Sequence, residues 1–146
     1  MVVKVKRFSE LSTDELYSIL ELRVAVFVVE QECPYAEVDG LDREAVHVWL
    51  EEDGKILAYL RVMDRGVESE YVSLGRLLAA KRREGLGSRV LSEGIHVAKE
   101  CFGADKIYLE AQVYAKGLYE RQGFRTISDE FLLDGIPHVK MLLDCE

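Results

Sequence analysis

With 146 residues, 49% of them hydrophobic and 32% charged, the chain has the length of one domain, enough to bury roughly 70% of its unfolded surface without disulfides or metals. Its formal net charge of −8 argues against nucleic-acid binding through phosphate. Cys33, Cys101 and Cys145 lie far apart with no Cys-x-x-Cys pair, so neither a zinc site nor a disulfide framework is expected, and a reducing cytoplasm suits them. No apolar run approaches the ~20 residues of a membrane span, and MVVKVKRFSEL lacks a signal peptide's apolar core and small-residue cleavage site.

Val3 and Val5 alternate with Lys4 and Lys6, the pattern of a short half-exposed strand. Ser12-x-x-Glu15 is a capping box that opens a helix on which Leu16, Ile19, Leu20, Arg23, Val24 and Phe27 share one face. Arg23 on that face either snorkels to solvent or meets an acid. Residues 28 to 44 break the periodicity: Cys33-Pro34 ends the helix and Asp39-Gly40 reads as a turn. So long a loop is either the wall of a functional cleft or a solvated connector. Cys33 has no histidine near it in sequence and reads as a buried, inert thiol.

Val46, Val48 and Leu50 alternate with His47 and Trp49, Asp53-Gly54 makes a two-residue turn, and Ile56 to Met63 returns as the partner strand. His47 in this setting reads as structural. After the polar stretch 64 to 70, Tyr71 to Leu78 forms a strand, followed by a helix whose Leu86, Val90, Gly94, Val97 and Cys101 fall on one face, with Gly103 as its stop. Lys106 to Val113 is a strand, Ala115 to Gln122 a short helix ended by Gly123, and Thr126 to Leu133 pairs with Ile136 to Leu143 around Asp134-Gly135. Pro137 marks an edge or a bulge in the last strand. The order β–α–loop–β–β–β–α–β–α–β–β predicts an α+β mixed sheet.

The most informative stretch is SLGRLLAAKRREGLGSRVL, Ser73 to Leu91. A helix that begins on Gly85 and Gly87 offers backbone N–H groups and the positive end of its dipole to an anion. Glycine leaves room for a bulky phosphate and tolerates unusual turn angles. Arg82 and Arg83 add positive charge. A Walker loop would need Lys followed by Ser or Thr where Ser88 and Arg89 stand, and a dinucleotide fingerprint would need a third glycine in an early βαβ unit. What remains is Arg82-x-x-Gly85-x-Gly87.

That motif, at the junction of the fourth strand and the main helix, resembles the acetyl-CoA pyrophosphate loop of the GNAT N-acetyltransferases, and the element order matches that superfamily over essentially the whole chain. LRVAVFVVEQECP, LEAQVYAKGLYERQGF and FLLDGIPHVKM are similar to its ElaA-like and YjcF-like branch. The resemblance implies a mostly antiparallel mixed sheet, splayed in the middle and flanked by helices. It also implies direct transfer of an acetyl group from acetyl-CoA to a primary amine in a ternary complex, without a metal. Arg82, Arg83, Glu84, Gly85, Leu86, Gly87 and Ser88 would hold the diphosphate. Leu77, Leu78 and Ala79 would line the pantetheine arm, the shortened turn GRLLAAKR leaving open which of them touches it. Tyr119 stands where relatives carry the tyrosine that hydrogen-bonds the CoA sulfur, and as the catalytic acid it would protonate the departing thiolate. His138 and Glu110 compete for the role of base, with His138 preferred. The acceptor is a small-molecule or peptide amine, and the acids Glu30, Glu32, Glu37, Asp39 and Asp42 on the long loop would favour a cation. A homodimer is left open, and the alternative function is a non-catalytic acyl-CoA-binding sensor of the same fold.

Overall fold

The computed structural model describes residues 1–33, 35–80 and 85–145. Its strands are β1 (Val2–Arg7), β2 (Val46–Glu52), β3 (Lys55–Met63), β4 (Val72–Ala79), β5 (Lys106–Gln112), β6 (Arg125–Thr126), β7 (Phe131–Leu133) and β8 (Ile136–Asp144); its helices are α1 (Thr13–Arg23), α2 (Leu86–Phe102) and α3 (Lys116–Glu120). The sheet runs β1-β2-β3-β4-β5-β8-β6, with β7 also on β8. Every pairing is antiparallel except β4 with β5, which needs a crossover and receives α2.

Two helices on opposite faces make the sheet a buried layer. Helix α2 lies over β2, β3 and β4 and presents Leu86, Val90, Leu91, Ile95, Val97 and Ala98 to the main core. It lies close because position 94 is glycine: a Cβ there would stand 2.6 Å from Leu60 Cδ2. On the other face Ile19 of α1 joins Trp49, Tyr59 and Leu78 in a smaller cluster. His47 and Trp49, which alternate with Val46, Val48 and Leu50 along β2, are fully buried beneath it. The cap of α1 is as the sequence predicts, with Ser12 Oγ accepting from Glu15 N at 3.0 Å and Glu15 Oε1 accepting from Ser12 N at 2.9 Å. Both hairpin dipeptides take left-handed angles at both positions, Asp53 and Gly54 at φ 52° and 74°, Asp134 and Gly135 at 52° and 78°, as a type I′ turn requires.

Several expectations are corrected. The first helix does not run uniformly to Cys33: from Val24 to Glu30 it is π-helical. The wider winding rotates Val24 into solvent and turns Val26 and Phe27 inward. Cys101 is exposed, because the buried stripe of α2 ends at Val97 and Ala98. The predicted strand Thr126 to Leu133 is two strands: Thr126 pairs with Met141 and Phe131 with His138, so five steps on one side face three on the other. The surplus is absorbed where Ser128 Oγ accepts Lys140 N at 2.9 Å in place of a backbone carbonyl. Helix α3 is five residues, shorter than Ala115 to Gln122, with a 3₁₀ turn before it.

Candidate active site

β4 and β5 pair only at Val72↔Ile107 and Ser73↔Tyr108. Past that point they diverge, and the sheet opens into a cleft of about 650 Å³. One end is lined by Gly87, Ala115, Leu118 and Tyr119, the other by Phe27, Gln31, Tyr35, Glu110 and His138, and Leu77, Leu78 and Ala79 run along its wall.

At the first end, Gly85 caps α2 in a left-handed conformation, φ 70°, which explains glycine there. The first intrahelical bond at this end runs from Arg89 N to Gly85 O, 3.0 Å. The amides of Leu86, Gly87 and Ser88 therefore have no acceptor among the described residues. A Cβ at Gly87 would meet only Leu118 Cδ2, at an ordinary 3.7 Å. The protein's own packing does not demand glycine at 87; what the missing side chain leaves open is the cleft. Leu86 is buried in the core and can offer only its backbone, while Ser88 Oγ accepts from Gln122 Nε2 at 3.2 Å. Arg82, Arg83 and Glu84 lie outside the described residues.

Leu77, Leu78 and Ala79 all line the cleft, but differently. Leu78 points its side chain into the small cluster under α1, whereas Leu77 and Ala79 pack toward the main core. Ala80 N bonds to Leu57 O at 2.7 Å on β3, and Leu78 faces Tyr59. Ladder alternation then directs the N–H of Leu77 and Ala79 away from β3, toward the open side.

Tyr119 packs edge-on against Phe124, with centroids 6.1 Å apart, and its hydroxyl has no hydrogen-bond partner among the described residues. Burial, assisted by Tyr114, pushes its pKa up to about 12. His138 is almost buried, and its Nδ1 lies 2.7 Å from Ile136 O. A carbonyl only accepts, so Nδ1 carries the proton and the neutral ring keeps a lone pair on Nε2. Glu110, across the ladder from Lys140 and diagonal to His138, is exposed and accepts from the Tyr108 hydroxyl at 2.8 Å. Burial and that bond hold the Tyr108 phenol well above its ordinary range. Diagonal partners stand about 7–8 Å apart, so both candidate bases edge the same space.

The largest feature that sequence reasoning missed is a buried ion network. Arg23, fully buried, donates from Nε to Glu37 Oε2 at 2.7 Å and from Nη1 to Asp42 Oδ1 at 2.6 Å. Arg61 donates to Asp42 Oδ1 at 2.9 Å and to Asp39 Oδ2 at 2.6 Å. Arg76 Nε reaches Glu37 Oε2 at 2.7 Å. Burial opposes the charge on Asp39, yet the bonds from Arg61 outweigh it and hold its pKa at about 2. The expectation of a free acidic field on the long loop is thereby corrected: Glu37, Asp39 and Asp42 are neutralised by three arginines. The same network settles Arg23 as an ion-pair partner. His47 Nε2 donates to Asp42 O at 2.9 Å and its Nδ1 accepts from the Tyr59 hydroxyl at 2.6 Å, so this histidine is structural. Cys33 is also buried, its thiol 3.3 Å from Asp134 O. Ser73 Oγ, at the apex of the opening, is buried without a partner among the described residues.

A mixed sheet splayed beside a glycine-opened helix defines a protein class, and residues 11–145 match the family description "Acetyltransferase (GNAT) domain". The chain belongs to that acyltransferase family. Escherichia coli ElaA is 34% identical over 137 residues, covering 91% of this chain and 90% of its own. The crystal structure of ElaA superposes with a TM-score of 0.91 at 32% identity, over 98% of this chain and 99% of the other. An acyl-CoA N-acyltransferase from Pseudomonas aeruginosa gives the same TM-score and coverage at 36% identity. The Campylobacter jejuni N-acetyltransferase PseH in complex with acetyl coenzyme A shares the fold, with a TM-score of 0.66 at 16% identity over 99% of this chain and all of the other.

Proposed function

We propose that the chain moves an acetyl group from acetyl-CoA directly to a primary amine, both bound at once. The observation that carries this reading is that one cleft, where β4 and β5 part, runs from Gly87 at the start of α2 to His138 and Glu110. The diphosphate rests on the amides of Leu86, Gly87 and Ser88, where glycine at 87 leaves the approach open. The pantetheine arm lies along Leu77 to Ala79, and the Leu77 N–H faces the oxygen on which negative charge develops. His138 Nε2 takes the proton from the amine, and Glu110 attracts its ammonium form. The Tyr119 hydroxyl faces the departing sulfur. Holding both reactants in one cleft supplies much of the acceleration. PseH, which shares the fold, is a precedent for a complex with acetyl coenzyme A.

The test is calorimetry with acetyl-CoA on wild type and Gly87→Glu, followed by a thiol-release screen over small amines and peptide N-termini. Wild type should bind and the variant, though folded, should lose at least tenfold in affinity. Equal affinity places the diphosphate elsewhere. Binding without turnover of any amine makes the protein a sensor.

A further inference from the structure

Arg76 has φ 53°; among the described non-glycine residues with positive φ, it alone lies inside a strand. Asp53 and Asp134 open hairpin turns, and Glu32 follows the π-helical segment. The ladder shows why the strand bends there. Arg61 faces Gly75 and Tyr59 faces Leu78, so Arg76 and Leu77 together oppose the single residue Leu60. This is a bulge, and a bulge re-aims the groups beside it.

A left-handed arginine persists only where its surroundings hold it. Here the holding groups are visible. Arg76 Nε donates to Glu37 Oε2 at 2.7 Å, and its Nη2 donates to Glu37 O at 3.1 Å and Asp39 Oδ2 at 3.3 Å. The guanidinium lies 5.6 Å from the centre of the Tyr35 ring, whose hydroxyl donates to the other oxygen of Glu37. Glu37 is buried and fixed from behind by Arg23, which donates to the same Oε2 and the same carbonyl. The end of α1, the long loop and the bulge of β4 thus meet on one carboxylate.

We propose that Glu37 and Arg76 are positioning residues: their ion pair locks the bulge so that the Leu77 N–H faces the thioester oxygen. The proposal rests on the acetyl-CoA reading above. Without the pair, an ordinary residue at 76 returns to negative φ, the bulge relaxes and the Leu77 donor turns away. Glycine is indifferent to the sign of φ, so it keeps the bulge accessible without any side chain. The backbone role therefore separates Arg76→Gly from Arg76→Ala, which remove the same hydrogen bonds.

The experiment is isotope-edited infrared spectroscopy of acetyl-CoA, carbon-13 labelled at the carbonyl, bound to wild type, Arg76→Ala and Arg76→Gly. Calorimetry with CoA, which lacks the carbonyl, reports folding and the diphosphate site in each protein. Wild type should show a hydrogen-bonded carbonyl band at lowered frequency. Arg76→Gly should retain that band and Arg76→Ala should lose it, both binding CoA within about threefold of wild type. Two variants that behave alike, either both keeping or both losing the band, overturn the proposal. An undisturbed carbonyl in wild type that still binds acetyl-CoA also overturns it, while no binding at all refutes the functional reading beneath it.

Discussion

Tyr119→Phe isolates one hydroxyl. The ring stays against Phe124, and since the hydroxyl has no partner among the described residues, its removal orphans nothing. A pKa of about 12 stands two units above an ordinary tyrosine near 10, so ionising this phenol costs roughly 2.7 kcal/mol more than in water. Tyr119 is therefore protonated throughout the working pH range. Against a thiol with an ordinary pKa of about 8.5, complete proton transfer would be uphill by roughly 3.5 units. The same burial disfavours the thiolate, which narrows that gap and favours a short hydrogen bond to sulfur as the C–S bond breaks. A hydrogen bond to a charged group is worth about 1.5–3 kcal/mol, which converts to roughly 10- to 150-fold in rate. We expect kcat to fall within that range while the Kd for acetyl-CoA stays within about threefold, and the thermal midpoint to stay level or rise. The assay is steady-state thiol release with an amine from the screen, with a pre-steady-state burst checked to show that chemistry limits turnover. A kcat within about twofold of wild type, on the order of 0.4 kcal/mol, refutes the assignment.

Gly94→Ala sets two effects against each other. Alanine gains about 1 kcal/mol of helix propensity, but its Cβ would lie 2.6 and 2.7 Å from the δ-carbons of Leu60, which is fully buried. Overpacking costs about 1–3 kcal/mol, so the variant should be less stable in urea, and adding Leu60→Val should recover part of the loss; a Gly94→Ala protein more stable than wild type contradicts this packing. The pH dependence follows from the network. Burial depresses the His47 pKa in the folded state, so the unfolded chain binds the extra proton and stability falls as pH drops below about 6.5. Asp39 and Asp42 are held below their ordinary values, so a second loss begins below about pH 4 and continues toward pH 2. Urea midpoints measured from pH 8 to 2 should show both legs, and His47→Gln should flatten the upper one only; a wild-type midpoint unchanged from pH 7 to 5 contradicts the first leg.

What the sequence determined by itself is what local chemistry encodes. The capping box at Ser12, the I′ turns at Asp53 and Asp134, the stop at Gly103 and the glycine start of α2 depend on neighbours a few residues away, and each is found where the sequence places it. Resemblance singled out Tyr119, His138 and Glu110 as candidates, and the fold places all three on the lining of one cleft. Only the tertiary structure decided the fate of the charges. Periodicity puts Arg23 on an inward face but cannot name Glu37, 14 residues on, or Asp42, 19 on. It reads Arg76 as one residue in an apolar strand, while its partner Glu37 lies 39 positions away. The split of the Thr126 to Leu133 strand is likewise set by its register on β8. Pairings of this kind depend on loop closure and burial over the whole sheet, and no local pattern of hydrophobicity carries them.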